Sequence, residues 1–286
     1  KPQKKRQIRV LERATTRYPK GWFWKKLSAI WRLGIVTEQI KEDGVDIFHG
    51  LSGETPANLK KNNILSVVTV HDLIFLSHPQ YYSFVDRIIY KLKFRHAVTN
   101  ADKIIAISEQ TKRDLITYLN ASEEKIEVVY QGCSAAYKQE YSPKDLARVR
   151  KKHKLPEKFV LNVGTLQERK NALTIVKAVK VSGHQLILVG GEKRYAKQIR
   201  KYIAENNMNR QVRFLKNVPV EELAIIYQLA TVFCYPSICE GFGIPIIEAL
   251  YSKTPVITSK GGCFSESGGP SSLYIEPTDI CALTQQ

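Results

Sequence analysis

Short apolar runs alternate with longer amphipathic stretches along most of this chain. Apolar runs rich in β-branched residues are typical of strands that are buried on both faces of a parallel sheet. They predict strands at residues 46–48, 66–71, 103–107, 126–130, 159–163, 185–189, 212–215, 232–235, 256–258 and 273–275. The amphipathic stretches predict helices at residues 22–41, 84–99, 109–119, 143–152, 171–180, 195–205, 221–229 and 245–251. This alternation predicts an α/β architecture with doubly wound parallel sheets.

A polar and charged stretch at residues 137–157 divides this pattern in two. It contains Pro143 and Pro156, which break regular structure. The length of 286 residues also exceeds the roughly 250 residues at which a single core stops growing. The sequence therefore predicts two Rossmann-like domains that face each other across a cleft. Residues 1–142 would form the first domain and residues 143–286 the second.

The composition, with 43% hydrophobic and 25% charged residues, is ordinary for a soluble globular protein. The sequence contains no run of about 18 apolar residues, so it predicts no transmembrane helix. The basic stretch at residues 1–6 lacks the apolar core of a signal peptide. We therefore expect a cytoplasmic location, either free or peripheral at the inner face of a membrane.

The net charge of +17 reflects 44 Lys and Arg residues against 27 Asp and Glu residues. Such an excess fits an anionic substrate, an anionic membrane surface or nucleic acid, and it equally fits a solvated basic surface. Nucleic acid is disfavoured, because the sequence has no zinc-finger spacing and no RNP-like aromatic motif. Aromatic and lysine residues at 20–26 suit a membrane interface, although the same stripe also fits a packed helix.

The five cysteines give no sign of a metal site or a redox pair. None forms a C-x-x-C motif, and reduced thiols are the expected state in the cytosol. The sequence also has no Asp-x-Asp motif and no His/Cys cluster with metal-ligand spacing. We therefore expect no metal ion and no bound cofactor.

The most informative segment is residues 239–250, which places Glu240 and Glu248 on either side of a glycine-rich turn into a helix. Pro245 suits the first turn of that helix. Backbone N–H groups without intrahelical partners are expected at Phe242, Gly243 and Ile244. Gly241 and Gly243 would let a ligand approach the backbone closely. Such donors and carboxylates suit a polyhydroxylated, phosphorylated ligand, namely a nucleotide sugar.

Two further groups of polar residues follow predicted strands. Arg169 and Lys170 precede Asn171, a good N-cap residue, so they would flank a helix N-terminus and suit a diphosphate. Alone, such a pair is more often a surface feature. His71 ends the second predicted strand, where ligands of such sheets bind, although a lone histidine there is more often structural. Asp72 would either orient His71 or cap the next helix.

These segments, in this order, resemble the retaining glycosyltransferases of family 4. The two glutamates resemble the Glu-x7-Glu motif of that family. Residues 159–171 resemble its phosphate-binding strand, loop and helix, and residues 67–72 resemble its histidine-bearing strand. Residues 235–237 also stand before the first glutamate as in the family. The resemblance extends from about Val45 to about Pro277 and implies the GT-B fold.

The resemblance implies a role for each candidate residue. It makes Glu240 the residue that faces the donor sugar and His71 a sugar contact. It makes Arg169 and Lys170 the cations that neutralise the leaving diphosphate, and Glu248 the ligand of the ribose hydroxyls. The implied catalytic residues are Glu240, His71, Arg169 and Lys170. The implied donor-binding residues are Gly164, Thr165, Arg169, Lys170, Val218, Gly241, Phe242, Gly243, Ile244 and Glu248.

The implied reaction is metal-independent, retaining transfer of a hexose from a nucleoside-diphosphate sugar to a glycan or lipid-linked acceptor. GDP-mannose is the favoured donor, because the context of residues 71–73 looks like bacterial mannosyltransferases of surface-polysaccharide assembly. A UDP-sugar is the alternative donor. A phosphorylase or epimerase of the same fold, and a non-catalytic basic binder of nucleic acid or anionic lipid, are the alternatives. Compared with the family, both termini look incomplete.

Overall fold

The chain forms two parallel sheets with helices between consecutive strands. The structure, a computed structural model, describes residues 17–19, 22–27 and 31–286. The first sheet has the order β1-β2-β3-β4 and consists of β1 Ile47–Gly50, β2 Leu65–Val70, β3 Lys103–Ala106 and β4 Ile126–Val128. The second has the order β10-β9-β8-β5-β6-β7 and consists of β5 Val160–Val163, β6 Leu186–Val189, β7 Val212–Leu215, β8 Val232–Tyr235, β9 Val256–Ser259 and β10 Leu273–Ile275. All the predicted strands are confirmed, with ends that shift by at most two residues.

The α-helices of the described residues pack against both sheets. They are α1 Trp22–Lys26, α2 Val36–Glu42, α3 Ile74–Ser77, α4 Phe84–Asn100, α5 Glu109–Leu119, α6 Pro143–Lys152, α7 Ala172–Ser182, α8 Tyr195–Glu205, α9 Val220–Leu229, α10 Ile244–Tyr251, α11 Phe264–Gly268 and α12 Ile280–Gln285. The predicted helices from residue 84 onward are confirmed. The sequence did not predict α3 and α11, because helices this short display too few turns to show a 3.6-residue repeat.

The single helix predicted over residues 22–41 takes a different form. Helix α1 and helix α2 flank a π-helical turn at Trp31–Ile35, and residues 28–30 lie outside the described residues. Two apolar residues of the predicted helix are exposed, Phe23 at 56% and Ile35 at 38%. Helix α2, by contrast, buries Thr37 and Ile40, and Ile40 packs with Leu59 and Ile64, so the described residues form a packed helix only toward the carboxyl end of this segment.

The second sheet is buried on both faces by two separate apolar cores. Leu161 and Phe233 point to the side covered by α6, α9 and α10. Leu188 and Ile257 point to the opposite side, covered by α7, α8 and α12. Burial on both faces explains why these strands appear in the sequence as continuous apolar runs.

The order of the second sheet creates a switch point between β5 and β8, where the chain reverses its direction of progress across the sheet. Ligands of doubly wound sheets bind beyond the carboxyl ends of the strands at this point. The loop after β5 carries Arg169 and Lys170, and the loop after β8 carries Glu240. The topology therefore brings the predicted cations and the predicted carboxylate to one place.

The two domains meet directly at this place. The hydroxyl of Ser108 donates a hydrogen bond to the carbonyl of Gly241 over 2.7 Å. The carboxylate of Glu266 accepts hydrogen bonds from the backbone N–H groups of Glu109 at 2.6 Å and Gln110 at 3.1 Å, at the start of α5. The cleft between the domains is therefore closed on one side by polar contacts.

The predicted domain boundary lies at the start of α6. The hydroxyl of Ser142 caps this helix by accepting from the N–H of Asp145 over 3.1 Å. Tyr137, which precedes the boundary, is buried in the core of the second domain beside Val149. The second core thus includes a few residues from before position 143, and the division at 142/143 stays a prediction.

Candidate active site

A buried carboxylate lies between two cations at the switch point. Oε2 of Glu240 is 2.8 Å from Nη1 of Arg169, and Oε1 is 2.5 Å from Nζ of Lys170. The hydroxyl of Tyr235 donates to Oε1 of Glu240 over 3.0 Å, and Lys170 also donates to that hydroxyl. Only 9% of the Glu240 side chain is exposed. The residues assigned to the donor sugar and to the diphosphate therefore contact each other directly.

The two loops of this cluster are joined by Asn171. Residues Glu168–Lys170 form a 3-10 turn, and Asn171 follows it in the left-handed conformation with φ 53°. Asn171 occupies the predicted N-cap position of α7, but its side chain accepts no backbone hydrogen bond there. Its amide instead donates to the carbonyls of Pro236 at 3.1 Å and Pro277 at 2.5 Å. This side chain fixes the loop after β5 against the loop after β8.

The charges of the cluster depend on each other. Burial raises the pKa of Glu240, but the neighbouring Lys170 and Arg169 outweigh it and hold that pKa below its ordinary value. Burial lowers the pKa of Lys170, and the attraction of Glu240 opposes this shift. One carboxylate between two cations leaves an excess of positive charge. That excess is available to an anionic group that enters the cleft.

His71 faces the cluster from the first domain. It follows the end of β2, its Nε2 lies 2.8 Å from the carbonyl oxygen of Leu51, and its Nδ1 lies 3.2 Å from Nε2 of Gln131. The carbonyl requires a donor and the amide nitrogen supplies one, so this network assigns the proton to Nε2. Asp72 does not contact this ring through a hydrogen bond. Its Oδ1 accepts from the N–H of Ile74 over 3.1 Å, which is the capping alternative.

A cavity of about 230 Å³ lies between the domains at this point. Its wall combines His71 from the first domain with Lys170 and Glu240 from the second. The complete lining consists of His71, Asp72, Ile107, Gln131, Lys170, Tyr235, Glu240, Gly241, Phe242, Gly243, Ile244 and Pro245. The structure therefore brings together most of the residues proposed for catalysis and the whole glycine-rich turn.

Other predicted site residues lie outside this wall. Arg169 reaches Glu240 from a neighbouring cleft of about 630 Å³ between the domains. Glu248 lies further along α10, where its Oε2 accepts from the hydroxyl of Tyr227 over 3.0 Å and burial raises its pKa. Gly164 and Thr165 follow the end of β5, and Val218 packs against the core of the second domain.

The fold itself requires glycine at two positions of the turn. A Cβ on Gly241 would stand 1.9 Å from the carbonyl oxygen of His71. Gly243 has φ 100°, a conformation that other residues rarely adopt. Gly241 thus permits contact between the domains, where the sequence predicted only the close approach of a ligand.

Tyr235 and Gln131 are site residues to which the sequence reasoning gave no role. A tyrosine within a fully buried strand indicates a hydroxyl that needs a partner, so the signal for Tyr235 was present. Gln131 lies in a loop after β4, and no local pattern marks it.

Neither metal clusters nor membrane spans appear in the part of the chain that the structure describes. Among residues 17–19, 22–27 and 31–286, no group of three His, Cys, Asp or Glu side chains could hold a metal ion. In the same residues, no helix combines the length and apolar character needed to cross a bilayer.

Comparison with known proteins identifies the family. Residues 143–285 match the sequence profile described as Glycosyl transferases group 1. The chain belongs to this family. Residues 1–136 of the chain match a second profile, Glycosyltransferase Family 4, which confirms the resemblance drawn from the motifs.

Relatives of this chain include two bacterial proteins named as mannosyltransferases. The O-antigen chain mannosyltransferase RfbU of Salmonella typhimurium is 33% identical over 216 residues, which cover 74% of this chain and 57% of the relative. The O-antigen chain mannosyltransferase B of Escherichia coli is 28% identical over 246 residues, which cover 83% of this chain and 63% of the relative. The chain thus spans about three fifths of these relatives.

A solved structure supports the fold. The sucrose-phosphate synthase of Thermosynechococcus elongatus superposes with a TM-score of 0.76 at 25% identity, covering 94% of this chain and 70% of the synthase. The two parallel-sheet domains and this similarity establish the GT-B fold for this chain.

Proposed function

We propose that this chain carries out retaining transfer of a hexose from a nucleoside-diphosphate sugar to a glycan or lipid-linked acceptor. The observation that carries the proposal is the Glu240 carboxylate held between Arg169 and Lys170, opposite His71. Mannose from GDP-mannose is the favoured donor, since two relatives are named as O-antigen chain mannosyltransferases. A UDP-sugar is the alternative donor.

The cations bind the diphosphate of the donor. Arg169 and Lys170 present charged N–H groups at the switch point and exceed the charge of Glu240. An entering diphosphate shares these donors with the carboxylate, and the backbone N–H groups of the glycine-rich turn add further donors. Electrostatic stabilisation of the leaving group then comes from the protein, so the reaction proceeds without a metal ion.

The transfer itself exchanges one bond at the anomeric carbon for another. The bond between this carbon and the diphosphate oxygen breaks, and positive charge develops on the sugar. Glu240 and His71 contact the sugar from the two sides of the cleft. The acceptor hydroxyl attacks on the face from which the diphosphate departs, and its proton passes to a phosphate oxygen. Attack from this face retains the anomeric configuration.

The nucleoside end of the donor extends along the second domain. Glu248 accepts hydrogen bonds from the ribose hydroxyls, for which a carboxylate offers two oxygens. Gly164 and Thr165 follow β5, and Val218 follows β7, so all three lie beyond the carboxyl ends of strands in the same parallel sheet. We place the reaction at the cytoplasmic face of a membrane, which agrees with the net charge of +17.

Isothermal titration with GDP-mannose, UDP-glucose, UDP-galactose and UDP-N-acetylglucosamine tests the donor. We expect the tightest binding with GDP-mannose, unchanged in excess chelator. Proton NMR of the transfer product should show the anomeric coupling of the donor sugar. An inverted product would contradict retention, and restoration of lost activity by Mg²⁺ would contradict metal independence.

The same titration, together with assays of donor turnover, separates the alternatives. A non-catalytic basic binder would bind anionic polymers without preferring a nucleotide sugar, and Glu240→Gln would leave its affinity unchanged. A phosphorylase would consume the sugar only with inorganic phosphate, and an epimerase would change the donor without an acceptor. Each result would exclude transfer as the activity of this chain.

A further inference from the structure

Helix α4 has two apolar faces on opposite sides. Successive helical residues differ by about 100° in direction, which places Phe94, Ala97 and Val98 together on one side. Ala97 and Val98 are buried, and Phe94 packs against the core of the first domain. The opposite side carries the exposed residues Phe84 (72%), Val85 (63%), Ile88 (45%), Ile89 (44%) and Leu92 (65%). The helix therefore docks on its domain by one apolar face and presents another outward.

This outward apolar face is larger than the scattered apolar residues that occur on ordinary protein surfaces. Single exposed apolar residues are common on soluble proteins, whereas contiguous apolar patches mark interaction surfaces. Phe84, Ile88 and Leu92 are spaced at i, i+4 and i+8, and Val85 and Ile89 stand beside them. The five side chains thus form one continuous stripe over more than two turns.

The surroundings of the stripe are basic. Lys91 and Arg95 are exposed along one edge of it. Helix α4 as a whole contains four Lys and Arg residues and a single carboxylate. Lys60 and Lys61 line a cavity together with His96 near the carboxyl end of the helix. An apolar stripe bordered by cations matches a bilayer whose surface carries anionic lipids.

A second copy of this chain fits the stripe less well. Pairing of the same face in two copies would bring Lys91 and Arg95 toward the same cations of the partner. Like charges placed opposite each other oppose association. An anionic bilayer supplies both the apolar phase and the compensating charge.

The inward face of α4 connects this surface to the cleft. Tyr90 and Phe94 help to line a cavity of about 200 Å³ that also contains His71 and Asp72. The same helix is therefore in contact with the cavity beside His71 and with solvent at its outward stripe. An acceptor anchored in a bilayer below α4 would lie on the His71 side of the cleft.

We propose that α4 docks the protein on an anionic bilayer through its outward stripe and so presents the His71 side of the cleft to a membrane-anchored acceptor. Only the second half of this proposal rests on the proposed function. Helix α1 offers a competing surface, since Trp22 is 71% exposed and Phe23 56% exposed. Helix α1 has five residues and buries none of them, so it is held in place less firmly than α4.

Flotation with vesicles tests the docking. The vesicles contain phosphatidylcholine alone or phosphatidylcholine mixed with phosphatidylglycerol, at low and at high salt. The α4 variants are Ile88→Ser/Leu92→Ser and Lys91→Glu/Arg95→Glu. The matched control is Val181→Ser/Lys201→Glu, which changes an exposed apolar residue of α7 and an exposed lysine of α8. Trp22→Ser/Phe23→Ser examines the competing surface.

We expect wild type and the Val181/Lys201 control to float with the mixed vesicles at low salt. The apolar variant should lose on the order of tenfold in partitioning per side chain. The charge variant should lose roughly fivefold or more per cation, and high salt should weaken wild type in the same direction. Equal flotation of both α4 variants and wild type would overturn the proposal.

Two further results would also overturn it. Loss of flotation only in Trp22→Ser/Phe23→Ser would assign docking to α1. A dimer of wild type in sedimentation, absent in Ile88→Ser/Leu92→Ser and accompanied by no vesicle binding, would assign the stripe to a second copy. Titration of the same variants with GDP-mannose keeps this test apart from the proposed function, because the four substituted residues of α4 line neither of the two clefts beside Glu240 and Arg169. A wild-type protein that binds the donor but does not float refutes the docking alone.

Discussion

The carbonyl oxygen of His71 lies 1.9 Å from the place that a Cβ on Gly241 would occupy. These residues belong to different domains, so the absence of a side chain at position 241 allows the Glu240 loop to reach the first domain. Ser108 adds a hydrogen bond to the carbonyl of Gly241 over 2.7 Å. The contact between the domains is therefore part of the site that holds His71 opposite Glu240.

Replacing Gly241 by Ala should separate these domains. The added methyl group meets backbone, which cannot move aside as a flexible side chain could. Overpacking of this kind costs about 1–3 kcal/mol. We expect a larger radius of gyration in X-ray scattering and a loss of transfer activity. Gly132→Ala is the matched control, because a Cβ there meets nothing within 4 Å. Wild-type scattering and activity in Gly241→Ala would show that the contact is dispensable.

Removing either cation should weaken binding of the nucleoside diphosphate. A charge-assisted hydrogen bond to phosphate contributes about 1–3 kcal/mol, so Arg169→Ala and Lys170→Ala should each lower affinity for GDP in isothermal titration. Lys201→Ala changes a lysine that is 74% exposed on α8 and serves as the control. Unchanged affinity in both variants would remove the phosphate role of the pair.

The sequence predicted the strands and the separate site residues better than their mutual contacts. Burial of β5 and β8 on both faces leaves a strong apolar signal, and Glu240, Arg169 and Lys170 stand in recognisable motifs. The ion pairs join residues about 70 positions apart, and nothing local indicates that they form without ligand. The same holds for Asn171, whose capping role was a local inference and whose actual partners come from two distant loops.

Ionised Glu248 should lower the stability of the folded protein, although the same carboxylate is proposed to bind the ribose of the donor. Burial raises its pKa in the folded protein, so ionisation of Glu248 opposes folding at pH values above that pKa. Glu248→Gln keeps an oxygen for the hydroxyl of Tyr227 and removes the charge. The variant should therefore melt at a higher temperature than wild type at neutral pH. The difference should shrink as pH falls through the folded pKa, because wild type then becomes neutral as well.

The same variant should bind GDP more weakly, since an amide accepts fewer hydrogen bonds from the ribose than a carboxylate does. Glu205→Gln, at a side chain that is 59% exposed, controls for the loss of a charge. A Glu248→Gln protein that melts earlier than wild type at every pH would refute the linkage. One that binds GDP as tightly as wild type would refute the ribose contact.

Glu240→Gln should affect turnover more than nucleotide binding. The folded pKa of Glu240 is lowered, so its charge stabilises the fold above the unfolded pKa, and this stability is lost as pH falls through the folded pKa. The Gln variant leaves Arg169 and Lys170 buried without their counter-ion, which costs roughly 3–5 kcal/mol. A bound diphosphate replaces the missing charge. GDP should therefore raise the melting temperature of Glu240→Gln by more than it raises that of wild type.

The kcat of Glu240→Gln should fall, although GDP raises the melting temperature of this variant more than that of wild type. Positive charge develops at the anomeric carbon only as the bond to the diphosphate breaks, so a carboxylate facing the sugar contributes most in the transition state. Loss of one such group lowers kcat on the order of 100-fold, whereas GDP should bind this variant more tightly than it binds wild type. Glu168→Gln removes a carboxylate from the same loop as Arg169 and should keep wild-type turnover. An unchanged kcat in Glu240→Gln would leave this residue only the task of holding the two cations in place.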